Sequence, residues 1–203
     1  MINTLDYYFA TPSPWSYLAT PRIIELEKKY ELKINWKPCN IMEIFAKNGT
    51  AAVKDRPQPV QLNRLTELKR WSEYLAMPLT IKPKFFPVDP TLSQKIIIAA
   101  QNNNINPSNI TFSFMKAVWA EEKDISNEET IKEICKESNL DFSSIIEQAK
   151  SDEVNNQYIK NKEEAIQNNV KKNIASVFSK DGKIYYKLPS GEITQNSPFI
   201  SKT

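Results

Sequence analysis

The residue with the clearest chemical potential is Ser13, in the stretch Asp6-Tyr7-Tyr8-Phe9-Ala10-Thr11-Pro12-Ser13-Pro14. An apolar run of strand length is stopped there by a Thr-Pro-Ser-Pro cluster, which cannot continue a β-ladder. Ser13 is placed to cap a helix, with Pro14 at the first helical position. Such a turn brings one hydroxyl and the unpaired N–H groups of a helix end to the carboxyl edge of a strand. Ligands bind at that edge in α/β proteins, and its partial positive charge favours an anion. A helix cap with no further role is the alternative.

Missing residue types narrow the chemistry further. The chain contains no histidine, so Ser-His-Asp and Cys-His arrangements and histidine-based zinc sites are excluded. Its three glycines, Gly49, Gly182 and Gly191, cannot form a dinucleotide-binding or phosphate-binding glycine motif. Cys39 and Cys135 lie far apart, and we interpret both as reduced core residues. We expect no metal. An enzyme made from this chain must use hydroxyls, amines, carboxylates and backbone dipoles, or a nucleophile from a bound molecule.

Composition predicts an ordinary globular protein. At 203 residues and 40% hydrophobic content, the chain can bury a core as one domain or as one domain with a large insertion. The formal charge of +3 is small, and lysines alternate with glutamates, so we expect no nucleic-acid partner. No signal sequence or membrane-length apolar run is evident, so we expect a cytoplasmic protein without a membrane partner.

The elements around Ser13 predict a βαβ unit. The run Thr4 to Phe9 is the first strand, and a helix runs from Ser13 to about Tyr30. Leu32, Ile34 and Trp36 then alternate with polar residues in a second strand that ends at Pro38. A strand, a helix and a strand at this spacing favour parallel pairing.

The rest of the chain predicts an α/β fold in which a thioredoxin-like four-stranded mixed sheet is interrupted by a large all-helical insertion. Strand signals vanish from about Asn40 to Val170, where helical patterns include a capping box at Ser126 and Glu129. Strand signals return as a predicted hairpin, 175–179 and 183–187, followed by a loop or tail from Pro189 to Thr203. We therefore assign residues 1–39 and 170–203 to the thioredoxin-like domain, and 40–169 to the inserted helical domain.

A second candidate region is the run Lys84-Phe85-Phe86 between two prolines. It is too stiff for a casual loop and too short for a helix, and it combines apolar rings with a cation. That combination suits a planar aromatic carboxylate. A solvated lysine beside two buried phenylalanines explains the run equally well.

Longer motifs carry a resemblance to a known family. Ser13-Pro14-Trp15-Ser16 stands where disulfide-forming thiol oxidoreductases have Cys-Pro-x-Cys, with both cysteines replaced by serine. With the segments 67–71, 83–90 and 115–122, it resembles the 2-hydroxychromene-2-carboxylate isomerase family. This family has a DsbA-like thioredoxin fold and is related to the kappa-class glutathione transferases. The resemblance covers residues 4 to about 170.

The resemblance implies a homodimeric, glutathione-dependent isomerase of aromatic catabolism, in which Ser13 is the catalytic hydroxyl. Its hydrogen bond and the helix end favour the glutathione thiolate, which adds reversibly to an aromatic 2-oxo or hydroxychromene acid. The implied cofactor positions are Ser13, Thr50, Ala175, Ser176 and Tyr186. The implied substrate positions are Ile44, Phe45, Lys84 and Phe85.

The chain departs from the family pattern in its last third. Ser176 stands where the family has a cis-proline, and Tyr186-Lys187-Leu188-Pro189 replaces Trp-Gly-x-Asp-Arg. Thr50 replaces an asparagine, Asn63 replaces a tyrosine, and the final helix is missing. The change near Lys171 leaves true divergence and a reading-frame change both open. A kappa-like glutathione transferase and a non-catalytic degenerate member are therefore the alternative functions.

Overall fold

A computed structural model describes residues 4–167 with their side chains, and beyond them the backbone of three strands at 176–180, 183–187 and 193–194. In the part of the chain described, no helix is long and apolar enough to cross a membrane.

The fold begins with the predicted βαβ unit. Strand β1 (Thr4–Phe9) leads into helix α1 (Pro14–Tyr30), which returns the chain to β2 (Lys33–Pro38). The two strands pair in parallel, with Leu5 opposite Ile34. The sequence prediction for this unit is confirmed, including the end of the helix.

Alternation along the two strands separates two faces of the sheet. Tyr7, Phe9, Ile34 and Trp36 are buried in the main core, where the rings of Tyr7 and Phe9 stack at 5.0 Å between centroids. The ring of Trp36 meets that of Tyr7 edge-on at 5.5 Å. Since edge-to-face and offset aromatic pairs add to the free energy of burial, these strands anchor the core under the Ser13 turn.

Helices fill the region from residue 40 to 167, as the loss of strand signal predicts. They are α2 (Ile41–Lys47), α3 (Gln58–Tyr74), α4 (Thr91–Asn102), α5 (Ser108–Trp119), α6 (Glu128–Glu137), α7 (Phe142–Ala149) and α8 (Asp152–Gln167), with a 3-10 turn at Val53–Asp55. The predicted capping box at Ser126 is wrong by one residue. The side chain of Asn127 caps α6 by accepting the N–H of Thr130 at 3.1 Å, and Asp124 accepts the N–H of Ser126 instead.

Helix α8 contacts β2 through one buried and one partly buried polar interaction. Asn161 Nδ2 donates to the carbonyl of Pro38 at 3.1 Å. Lys37 Nζ lies 2.6 Å from Glu164 and 2.9 Å from Asp6. Partial burial lowers the pKa of Lys37, but these two carboxylates outweigh it, so the net pKa shift is upward. The Lys37–Glu164 ion pair and the Asn161 hydrogen bond therefore join α8 to β2, whereas Asp6 joins Lys37 to β1.

The predicted single four-stranded sheet is not confirmed. Strands β1 and β2 form one sheet, whereas β3 (Ser176–Lys180), β4 (Lys183–Lys187) and β5 (Ile193–Thr194) form a separate antiparallel sheet. The predicted hairpin is β3 and β4, and β5 lies in the stretch predicted as loop or tail. Periodicity identifies strands but does not say which edges pair, so the pairing of all four strands in one sheet stays a prediction. The rest of that stretch and the turn at 181–182 lie outside the described residues, and the division into two domains stays a prediction.

Candidate functional site

Ser13 stands at the N-terminus of α1, as predicted. Its backbone is extended and its Oγ accepts the N–H of Ser16 at 3.3 Å, while its carbonyl accepts the N–H of Tyr17 at 3.0 Å. Its own N–H donates to the carbonyl of Ala10 at 3.0 Å. Ser13 is therefore a true N-cap, with Pro14 at the first helical position.

Ser16 completes the hydrogen bonding of this turn. It is buried, and its Oγ accepts the N–H of Ala10 at 3.5 Å. Ala10, Ser13 and Ser16 thus form a ring of three hydrogen bonds that fixes the position of the Ser13 hydroxyl. In this ring the oxygen of Ser13 acts as an acceptor, so its hydroxyl proton can be donated outward.

The turn also offers a backbone donor. Within the described residues, the N–H of Trp15 donates to no acceptor, whereas those of Ser16 and Tyr17 are both used by Ser13. Ser13 and Trp15 are half-buried and so remain within reach of a ligand. One hydroxyl proton, one N–H group and the positive end of a 17-residue helix meet here, an arrangement that stabilises an anion.

A buried hydrogen-bond network supports the first turn of α1. Tyr7 and Thr20 are joined through their hydroxyls at 3.0 Å, and Thr20 Oγ1 donates to the carbonyl of Ser16 at 2.8 Å. Burial raises the pKa of the Tyr7 phenol to about 12, despite its hydrogen bonds to Thr20 and Ser16. Tyr7 is therefore neutral near pH 7 and serves as support rather than as an acid or base.

The two thiols of the chain cannot form a redox pair at this turn. Cys39 and Cys135 are both buried and unpaired, as predicted. Burial raises the pKa of Cys39 to about 12 and that of Cys135 to about 11. Because the thiolate is the reactive form, neither sulfur is a nucleophile at neutral pH.

The predicted positions in and after α2 differ in exposure. Ile44 is only 1% exposed and packs with Cys39 and Ala165, so Phe45, which is half-buried, has the ring surface that a ligand could reach. Thr50 is buried, and its N–H donates to the carbonyl of Phe45 at 2.8 Å. The structure therefore brings Thr50 and Phe45 together in one closed loop.

Lys84 and Phe85 line a shallow cavity of about 340 Å³. Its wall also contains Asp89, Asp124 and Ser126. Both carboxylates use one oxygen locally, Asp89 on Thr91 and Asp124 on Ser126. Asp124 comes from a segment forty positions after Lys84, and no sequence pattern links the two. The surroundings of Lys84 are thus more acidic than its own segment suggests.

The remaining predicted positions lie in the last third of the chain. Ala175 is outside the described residues. Ser176 begins β3 and Tyr186 lies in β4, where the register pairs Ser176 with Lys187 and Val177 with Tyr186. Their side chains are not described, so their assignment to the cofactor stays a prediction.

The family model of the DSBA-like thioredoxin domain matches residues 4–171. The 2-hydroxychromene-2-carboxylate isomerase of Pseudomonas putida is 29% identical over 82 residues, which are 40% of this chain and 40% of the relative. The enzyme of the same name from Sphingobium xenophagum is 29% identical over 86 residues, 42% of this chain and 44% of the relative. The matches thus span less than half the length of these curated relatives.

Solved structures agree in fold. A structure of 2-hydroxychromene-2-carboxylate isomerase superposes with a TM-score of 0.71 at 19% identity, covering 90% of this chain and 88% of that one. The cytosolic disulfide reductase DsbM from Pseudomonas aeruginosa superposes with a TM-score of 0.66 at 14% identity, covering 93% and 90%. A second structure of DsbM contains GSH and has the same TM-score of 0.66. At these identities the likeness concerns the fold alone.

Proposed function

This chain belongs to the DSBA-like thioredoxin domain family, and from that premise we propose that it is a glutathione-dependent isomerase of an aromatic hydroxychromene or 2-oxo acid. The proposal rests on the Ser13 turn, which places a hydroxyl group and the unpaired N–H of Trp15 in the first turn of one helix. Support comes from the curated relatives, all three of which are named 2-hydroxychromene-2-carboxylate isomerase. This chain therefore has relatives with an isomerase name and a turn suited to an anionic sulfur.

The residues present fit the sulfur of glutathione. The Ser13 hydroxyl can donate one hydrogen bond because its oxygen already accepts from Ser16. The N–H of Trp15 and the helix end add a second donor and a favourable dipole. When bound, glutathione supplies the thiol nucleophile that this chain lacks at the turn. Ser13 then lowers the pKa of that thiol and holds the sulfur in one position.

Further residues would orient the two ligands. Thr50, Ala175 and the strand positions Ser176 and Tyr186 are proposed to hold the peptide of glutathione. Phe45 and Phe85 offer ring surface to a planar substrate, and both are half-buried. Thiol–disulfide exchange, by contrast, needs a cysteine at the turn, and the only two sulfhydryls are buried elsewhere.

Assembly and location complete the proposal. We propose a homodimer, and the large apolar side chains that α3 exposes support an interface: Val60, Leu62, Trp71 and Tyr74. Light scattering after gel filtration measures the mass directly. A cytoplasmic location fits two unpaired cysteines, because disulfides are rare in that compartment.

The test is glutathione binding by calorimetry, together with the pKa of the bound thiol from its ultraviolet absorbance. In the wild-type protein we expect this pKa to lie below the free-thiol value of about 8.5. Ser13→Ala should weaken binding and raise the thiol pKa by about one unit, because the thiolate loses a donor. Ser13→Asp keeps a helix-capping oxygen but places a negative charge beside the sulfur, so it should abolish thiolate stabilisation while the protein stays folded.

Ser143→Ala is the matched control, since it removes an exposed hydroxyl from the first turn of α7. Equal glutathione affinity and thiol pKa in Ser13→Ala and Ser143→Ala would remove Ser13 from the mechanism. With a hydroxychromene acid as substrate, glutathione should be recovered unchanged after turnover. Stoichiometric consumption would indicate a transferase instead.

A further inference from the structure

Two arginines, Arg56 and Arg64, occupy neighbouring positions between the predicted substrate segments. Arg56 follows the 3-10 turn, where its Nε donates to the carbonyl of Ala51 at 3.1 Å. Gln61 Nε2 donates to the carbonyl of Arg56 at 2.7 Å, which fixes the backbone of that residue. Arg64 is one turn after Gln61 on α3, on the same side of the helix. The loop and the helix thus place the two arginines near enough for their charges to repel each other.

Within the described residues, no ion pair neutralises the charges of these two arginines. Among the described residues, no carboxylate lies within ion-pair distance of Arg56 or Arg64, whereas Arg70 on the same helix pairs with Glu67 at 2.8 Å. Arg64 is partly buried, and its pKa is lowered first by that burial and then by repulsion from Arg56. A partly desolvated arginine beside a second arginine costs folding free energy. Such an arrangement is typical of a site whose counter-charge arrives with a ligand.

An aromatic surface lies beside the pair. The guanidinium carbon of Arg56 is 5.6 Å from the ring centroid of Phe45, within the range of a cation–π contact. Phe45 is half-buried, and its carbonyl accepts the N–H of Thr50. A ligand that combines a flat ring with an anionic group would meet both features at once.

Lys84 is less suited to an anion. Its cavity contains Asp89 and Asp124, and its backbone N–H donates to Glu122 Oε1 at 3.1 Å. Its ammonium group lies 5.0 Å from the ring of Phe85. An incoming carboxylate would meet two carboxylates there. At the arginine pair, no described carboxylate lies within ion-pair distance of either guanidinium group.

We propose that Arg56 and Arg64, beside the ring of Phe45, bind the carboxylate of an aromatic acid, and that Lys84 does not. The identity of that ligand as an aromatic acid rests on the proposed function, but carboxylate binding by the pair does not require Ser13 or glutathione. Arginine is suited to the role because its planar fork can pair two N–H groups with one carboxylate.

The experiment is a titration with salicylate in the absence of glutathione, with neutral salicylamide as the comparison ligand. The wild-type protein should bind salicylate more tightly than salicylamide. Arg56→Gln and Arg64→Gln should each weaken salicylate binding about tenfold or more, since a charge-assisted hydrogen bond is lost. Arg70→Gln, on the same helix but exposed, is the matched control and should stay within about twofold of wild type. Equal loss of both ligands would show an effect of shape and would overturn the proposal.

A parallel glutathione titration separates the two sources of a carboxylate. If the arginine variants weaken glutathione binding and leave salicylate binding unchanged, the pair binds a carboxylate of glutathione. If both titrations match those of the wild-type protein, the proposal is wrong. Ser13→Ala should leave salicylate binding unchanged, so a failure of the thiol mechanism is recognised independently of the arginine site.

Thermal unfolding without ligand separates a binding role of Arg64 from a structural one, because loss of a structural arginine would lower the unfolding midpoint. Removing an unpaired, partly buried charge should leave the midpoint of Arg64→Gln equal to or above that of wild type. A midpoint several degrees lower would show that Arg64 holds the fold together, and the proposal would fall.

Discussion

The Ser13 turn and the arginine pair differ in how their polar groups are paired. At the turn, Ala10, Ser13 and Ser16 close a ring of hydrogen bonds, supported by Tyr7 through Thr20. At the pair, Arg56 and Arg64 lie close enough to repel each other, and no described carboxylate neutralises them. We therefore expect the hydrogen bonds of the first region to stabilise the folded chain, and the two unpaired charges of the second to add no stability.

The difference indicates what each region does for a ligand. A hydroxyl that must donate to one atom needs a fixed position, and completed hydrogen bonds supply it. A site that attracts an anion gains most from positive charge that the protein leaves unneutralised. Substitutions in the first region should therefore lower stability, whereas substitutions in the second should leave it equal or raise it.

The largest expected effect is a loss of stability at alkaline pH, where Tyr7 beneath the Ser13 turn loses its proton. An unfolded tyrosine loses its proton near pH 10, whereas buried Tyr7 keeps its proton until about pH 12. Because its folded-state pKa is raised, its contribution is complete below pH 10 and is lost as the pH rises to 12. The Tyr7 share of that loss is about 2–3 kcal/mol of unfolding free energy.

Urea unfolding from pH 9 to 12 measures this loss in the wild-type protein and in Tyr7→Phe. The variant should lose less stability over that range than wild type does. Tyr74→Phe removes a tyrosine that is 79% exposed and serves as the control. Parallel pH curves for wild type and Tyr7→Phe would show that the Tyr7 phenol is not held neutral by the fold.

Ser16→Ala should weaken the turn at neutral pH. The substitution removes the acceptor of the Ala10 N–H, so a buried donor is left unpaired. We expect the free energy of unfolding to fall by about 1–2 kcal/mol, measured by urea unfolding at pH 7. In Arg64→Gln, by contrast, the free energy of unfolding should not decrease. The same sign and size of change in both variants would remove the distinction between the two regions.

Local elements of the fold could be predicted from the sequence because short-range signals specify them. The strand from Thr4, the cap at Ser13 and the helix that ends at Tyr30 each follow from periodicity and from serine and proline placement. The placement of Asn127 as the cap of α6, in place of Ser126, depended on a choice between adjacent polar residues. The arrangement of the last strands depended on edge pairing, which periodicity does not encode.

The candidate site was predictable only where its parts are contiguous in sequence. The position of Ser13 in its turn follows from four consecutive residues. The acidity around Lys84 does not, because Asp124 reaches the cavity from a separate segment. Arg64 likewise resembles the other charged residues of an exposed helix until its burial and its distance from any carboxylate are known.

The smallest expected effect concerns the Lys84 cavity. It tests whether nearby carboxylates are the reason that an anion binds at the arginine pair and not at Lys84. In the double variant Asp89→Asn, Asp124→Asn, the amide oxygens can still accept from Thr91 and Ser126, so the loops keep their hydrogen bonds. The cavity at Lys84 loses both negative charges. Since exposed charge pairs are worth about 0.2–1 kcal/mol each, salicylate binding at this second place should become detectable and weak.

The measurement is a salicylate titration of this double variant in the Arg64→Gln background, where the arginine pair is already disabled. A recovery of binding of a few-fold, lost again on Lys84→Gln, is the expected result. Asp152→Asn, an exposed carboxylate at the start of α8, is the control and should recover nothing. No recovery in the double variant would mean that the shape of the Lys84 cavity excludes the ring, and that counter-charge is not what separates the two regions.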